Sequence, residues 1–133
     1  MSGEDEQVYQ LVEEIVRKQG GLSSKEKLLE IYSSLFRVIW RYVQPTIGRD
    51  VLQVIAERAL SLARERHPLL DGLQIVEEGP SLRQWAQALK EEPLEALHAA
   101  CSELMANLLH ILAMLTGNIL LDQLAVEMDG DRD

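Results

Sequence analysis

Residues 93–115, PLEALHAACSELMANLLHILAML, are the stretch around which the chain is organised. Glu91 and Glu92 precede Pro93, and together they mark a helix start. Proline suits the first helical position, where its missing amide would be unpaired anyway. The acidic pair suits the positive end of the helix dipole. At about 100° per residue, Leu94, Leu97, Ala100, Cys101, Leu104, Met105, Leu108, Ile111, Leu112 and Leu115 share one face. That face covers roughly half the circumference, more than an ordinary amphipathic stripe. Such a helix needs several neighbours, so the spacing predicts the centre of a bundle. At about 1.5 Å per residue it would run about 35 Å, the width of a small domain. Thr116-Gly117 permits a break before Ile119, Leu120, Leu121, Leu124 and Val126 extend the pattern towards Met128.

Residues 104–121 carry no formal charge, a length at the lower edge of a membrane span. Asn107, His110, Thr116 and Asn118 interrupt the run, Glu103 and Asp122 flank it, and no basic cluster marks a cytoplasmic side. A buried core helix is expected, without membrane insertion.

Outward from this hub the chain reads as further helices. Val8, Leu11, Val12, Ile15 and Val16 form a stripe that stops at Gly20-Gly21. Ser23 and Glu26 match a capping box. The helix behind them runs to about Val43 and crowds Leu28, Ile31, Tyr32, Leu35, Phe36, Ile39, Trp40, Tyr42 and Val43 onto more than half of its surface. Pro45 should end or kink it. A third helix begins within residues 46–50 and stops at His67-Pro68, with Ile47, Val51, Val54, Ile55, Ala59 and Leu62 facing inward.

Residues 69–79 alternate loosely around Leu73 and Ile75, with no second strand in view. They form either an apolar loop over the bundle or a strand that pairs with its copy in a dimer. Ser81 and Gln84 cap a short helix bearing Leu82, Trp85, Ala86 and Leu89. The expectation is one all-α domain over residues 1–133, about five helices around a long C-terminal one, frayed at residues 1–6 and 129–133.

Composition narrows the function classes. A formal charge of -9, from 22 acidic and 13 basic side chains, argues against nucleic acid as partner. One cysteine, Cys101, allows no internal disulfide and fits a reduced interior. The acidic start MSGEDEQ is unlike a signal peptide, so a cytoplasmic protein is expected.

With the helices placed, a longer pattern emerges. It runs from Leu35-Phe36-Arg37 through Gly48-Arg49, Ala59 and Arg66-His67-Pro68-Leu69-Leu70 to Leu115-Thr116-Gly117. It resembles the all-helical modules that accompany sensor histidine kinases and related ATP-binding signalling proteins of prokaryotes. The kinase hallmarks are absent: there is no glycine-rich ATP lid and no phosphoacceptor histidine motif. The resemblance implies an accessory or sensory piece with a signalling protein as partner, not the kinase.

No phosphate loop, dinucleotide fingerprint, Cys-x-x-Cys pair or His-Glu-x-x-His motif occurs. Glu95 and His98 form one Glu-x-x-His step that could hold a metal. A di-iron bundle needs two such steps and two more glutamates. His98 and Cys101 supply only two of the four ligands of a structural zinc site, so an interfacial histidine beside a buried thiol is the plainer reading. His67, His98, His110, Met105 and Met114 single out no axial pair for haem, and no cofactor is expected. Arg37 and Arg41 lie one turn apart beside Ser33 and Ser34, with Arg49 beyond Pro45. They could bind a phosphate or carboxylate, or form a solvated face paired with acidic residues elsewhere.

Ala99, Ala106 and Ala113 recur every seven residues on the narrow side of the central helix. They suggest close helix packing, within the chain or across a homodimer, if not simply helix propensity on an exposed face. With Leu73 and Ile75 they form the expected dimer surface. The sequence thus favours a non-catalytic cytoplasmic signalling or regulatory module acting as a homodimer. A small-molecule or metal-binding bundle is the alternative, and an adaptor whose acidic ends contact a basic protein is a third.

Overall fold

The computed structural model describes residues 3–18, 20, 23–77 and 79–116. Among them the chain forms α1 (Gly3–Lys18), α2 (Lys25–Ile47), α3 (Arg49–Arg66), α4 (Leu82–Gln87) and α5 (Leu94–Thr116). A 3₁₀ turn (Pro68–Gly72) and two short strands, β1 (Ile75–Val76) and β2 (Gly79–Pro80), lie between α3 and α4. The protein is all-α, a bundle with a long C-terminal helix.

The helix directions follow from contacts. Lys25 Nζ donates to the Lys90 carbonyl at 2.8 Å, and Tyr32 Oη lies 3.2 Å from His98 Nδ1. Residue numbers therefore climb together, and α2 and α5 run the same way. Glu13 meets His98, and Asn107 Nδ2 donates to the Ala59 carbonyl at 3.3 Å. With the single residue Gly48 reversing the chain between α2 and α3, α3 runs against α2 and α5.

α5 is the hub the sequence led us to expect. Leu97, Ala100, Cys101, Leu104, Met105, Leu108 and Leu112 are at most 1% exposed, and so is Leu109, which lies off the anticipated face. Ser102 and Ala106 are buried as well, so mid-helix burial runs almost all the way round. By length and composition Leu94–Leu115 would also suffice to cross a membrane, with 56% of its most apolar window buried in this fold. Leu115, assigned to the inner face, is 60% exposed. The continuation to Met128 and the break at Gly117 lie outside the described residues.

Several local expectations need correction. Ser24, not Ser23, caps α2: its side chain accepts from the Lys27 amide at 3.1 Å. Pro45 neither ends α2 nor replaces Gly48 as the stop. Proline's fixed φ is itself helical, and the Arg41 carbonyl that loses a donor belongs to an exposed residue. α2 ends one turn later, where Gly48 adopts φ 92 and sends its amide to the Gln44 carbonyl at 2.8 Å. The Ser81 side chain makes no cap bond to the α4 backbone, although its carbonyl accepts from the Trp85 amide at 3.2 Å; its hydroxyl donates to the Gln84 side chain at 3.2 Å.

The inner face of α3 is rotated by about one residue, roughly 100°. Leu52, Ile55, Ala56, Ala59, Leu60 and Ala63 are buried, whereas Val51 and Val54 are 48% and 68% exposed. Ala56, Ala59 and Ala63 let the α3 backbone approach α5, close enough for the Asn107 bond. Valine in their place would hold the helices apart.

Residues 69–79 are neither a plain loop nor a strand waiting for a copy. Ile75 pairs with Pro80 and Val76 with Gly79 in an antiparallel ladder. Gln53 Nε2 donates to the Ile75 carbonyl at 3.0 Å and ties this hairpin to α3. Gly79 adopts φ 120, and a β-carbon there would sit 3.6 Å from the Trp40 ring. The hairpin therefore lies on the C-terminal half of α2. Trp85 is 4% exposed and donates to the Leu69 carbonyl at 2.8 Å, joining α4 to the 3₁₀ turn.

Candidate functional site

Polar groups collect where α1, α2 and α5 meet. Helical spacing puts His98 one turn before Ser102, with Cys101 beside it, on the side of α5 that faces α2. Tyr32, fully buried, enters from α2, and Glu13 comes from the border of the α1 stripe. His98 Nε2 donates to Glu13 Oε1 at 2.7 Å. The Tyr32 hydroxyl donates to His98 Nδ1 at 3.2 Å, in the tautomer that the Glu13 bond requires. The Tyr32 and His98 rings lie 6.0 Å apart at 45°.

Burial dominates the electrostatics. It pushes the Tyr32 hydroxyl far above its ordinary range, helped by the nearby Cys101 and Glu13 and opposed by a hydrogen bond from Ser102. It pushes the Cys101 thiol up to about 12. Both groups are neutral at physiological pH, so Cys101 offers no thiolate nucleophile.

The proposed metal pair does not form. Glu95 is exposed, and both His98 nitrogens are taken by Glu13 and Tyr32. Among the described residues no group of three or more His, Cys, Asp or Glu is placed to hold a metal. Of the residues weighed for haem, Met105 is completely buried in the core and Met114 is 72% exposed.

The three arginines also part company. Arg49 pairs with Glu77 of the hairpin turn at 2.9 Å, both side chains largely exposed. Arg41 is exposed and lies outside the neighbouring groove. Arg37 lines that groove with Ser33, Ser34, Ser81 and Arg83. Arg83 and Ser81 arrive from the far end of the hairpin, 40 or more residues along the chain, so no local spacing could have associated them with Arg37.

The expected dimer surface is largely consumed within the chain. Ala106 is 4% and Leu73 2% exposed, and Ile75 packs partly against the core. Ala113 is half-buried, and only Ala99 is exposed. Glu13 escaped the sequence reading. Its one signal was a carboxylate at the edge of an apolar stripe, which surface helices show routinely.

No family model, curated protein or solved structure matches the chain.

Proposed function

We propose that this chain is a non-catalytic signalling or regulatory module of the cytoplasm that acts by binding protein, with a second copy of itself as first partner. The fate of its chemistry-bearing side chains supports a binding role. His98, Tyr32 and Cys101 are turned inward and satisfied or neutral, a structural use of groups that catalysis would leave facing a substrate.

The observation that carries the reading is the distribution of exposed apolar side chains. Tyr42, Val51, Val54, Val76, Met114 and Leu115 are 38–72% exposed. From the helix directions, the five on α2, α3 and α5 belong to the end of the bundle marked by Gly48, whereas Val76, on β1, lines the groove beside Arg37. Scattered exposed apolar residues are ordinary, but their gathering at one end marks a contact surface. A two-fold dimer would set this end against itself, each residue meeting the partner's equivalent surface. The resemblance to accessory modules of signalling proteins agrees with this role.

Light scattering tests the proposal. We expect a dimer that strengthens with added salt, because screening relieves repulsion between two chains of charge -9 while leaving apolar contact intact. A monomer at every accessible concentration and salt level would overturn self-association. The small-molecule alternative keeps one observation in its favour, the Arg37 groove.

A further inference from the structure

We infer that the groove between α2 and the β2–α4 connection is a binding site for a phosphate monoester, held by Arg37 and Arg83. This inference is independent of self-association at the Gly48 end. The groove has a volume of about 570 Å³, and Ser33 and Ser34 line it beside the two arginines, while the Ser81 hydroxyl on its rim is bonded to Gln84.

Two arginines line this groove together. The protein has 22 acidic side chains for 13 basic ones, yet among the described arginines only Arg49 and Arg64 show an ion pair. Arg49 takes Glu77 and Arg64 lies 3.7 Å from Asp71. Arg37 and Arg83 have no such partner among the described residues. One carboxylate, Glu30, lines the same groove, but it lies 3.6 Å from Lys27. Among the described residues, two arginines face one shared carboxylate in the groove.

The donor set selects phosphate over carboxylate. A carboxylate offers about four acceptor sites, which two arginine forks already fill. The Ser33 and Ser34 hydroxyls would then have no acceptor to meet. A phosphate monoester brings three terminal oxygens, enough for both forks and the hydroxyls together. Leu82, beside Arg83, and Phe36, beside Arg37, are each 2% exposed, which anchors the backbone that carries the two exposed arginines. Val76 is exposed on the groove wall and gives the organic part of the ligand an apolar surface.

The phosphoryl group could belong to a small metabolite or to a phosphorylated side chain of a partner protein, and the experiment separates the two. The full chain is titrated with inorganic phosphate, with O-phosphoserine and with a phosphoserine peptide, while backbone amide resonances are followed by NMR. We expect saturable shifts at Ser33, Ser34 and Ser81. Arg37→Ala and Arg83→Ala should each weaken binding by about tenfold or more, the scale of a lost charge-assisted pair. Arg58→Ala, an exposed arginine on α3, should leave it unchanged. Equal binding of O-phosphoserine and peptide assigns the site to small phosphorylated molecules. Clearly tighter binding of the peptide assigns it to a phosphorylated partner. All three arginine sites are exposed, so the variants should fold normally, which circular dichroism verifies. Absence of saturable shifts, or equal losses from all three variants, overturns the proposal.

Discussion

At His98 both ring nitrogens are committed, one to α1 through Glu13 and one to α2 through Tyr32. A single side chain thus fixes the position of three helices. Removing it strands the Tyr32 hydroxyl in a buried site, left to Ser102 alone. His98→Ala should cost about 2–3 kcal/mol, since an orphaned buried polar group adds to the lost bonds. Glu13→Gln should cost less, about 1 kcal/mol, because Glu13 is half-exposed and water can replace it. Urea unfolding of both variants and of the double variant measures the coupling, and strictly additive losses would refute the chain of bonds.

Cys101 and Tyr32 make a pH prediction at the same scale. Folding raises the thiol from 9.0 to about 12. As pH climbs, the unfolded chain therefore releases this proton first. Below the unfolded value both states hold it and pH has no effect through this group. Above it the unfolded state is favoured by up to about 1.4 kcal/mol per pH unit. Tyr32, raised in the same direction, joins above its own ordinary range. The protein should lose stability steeply from pH 9 upward, and Cys101→Ala should flatten the first part of that loss in melting curves.

Among the elements, α3 shows what a helix face is selected by. The spacing of Val51, Val54 and Leu62 made a plausible inner stripe, yet the alanines went inside. Periodicity locates an apolar arc but not its centre when small and large residues compete for it. The α5 surface decided, because contact with its bulky leucines requires small partners. Ala59→Leu should therefore destabilise the protein by about 1–3 kcal/mol through overpacking, whereas Val54→Ala should change little. Thermal melts of the two variants test this contrast. The turn between α2 and α3 rests on Gly48 at φ 92, a region that side chains rarely occupy. Gly48→Ala meets no atom within 4 Å, so its cost is conformational alone. A loss of about 1–3 kcal/mol is expected.

For the whole molecule, the exposed apolar side chains at the Gly48 end make the test of self-association specific. Val54→Asp removes apolar area and sets like charges against each other across a two-fold contact. It should shift the dimer to monomer in light scattering while leaving the melting temperature of the fold nearly unchanged, because Val54 is 68% exposed. A variant that remains dimeric would place the contact elsewhere on the molecule.

By itself the sequence determined the helical class, the order of the helices and the central place of α5. These follow from apolar spacing, caps and turn residues, which act within a few positions of one another. Cys101 as a buried thiol and His98 as an interfacial histidine were legible for the same reason. Tertiary structure alone decided which arc of α3 faces inward, which short segment pairs with Ile75-Val76, and that Glu13 rather than Glu95 meets His98. It alone brought Arg83 and Ser81 to Arg37. The physical reason is distance along the chain. Each of these choices depends on the shape or charge of a surface contributed by residues remote in sequence, and it exists only after the helices have packed.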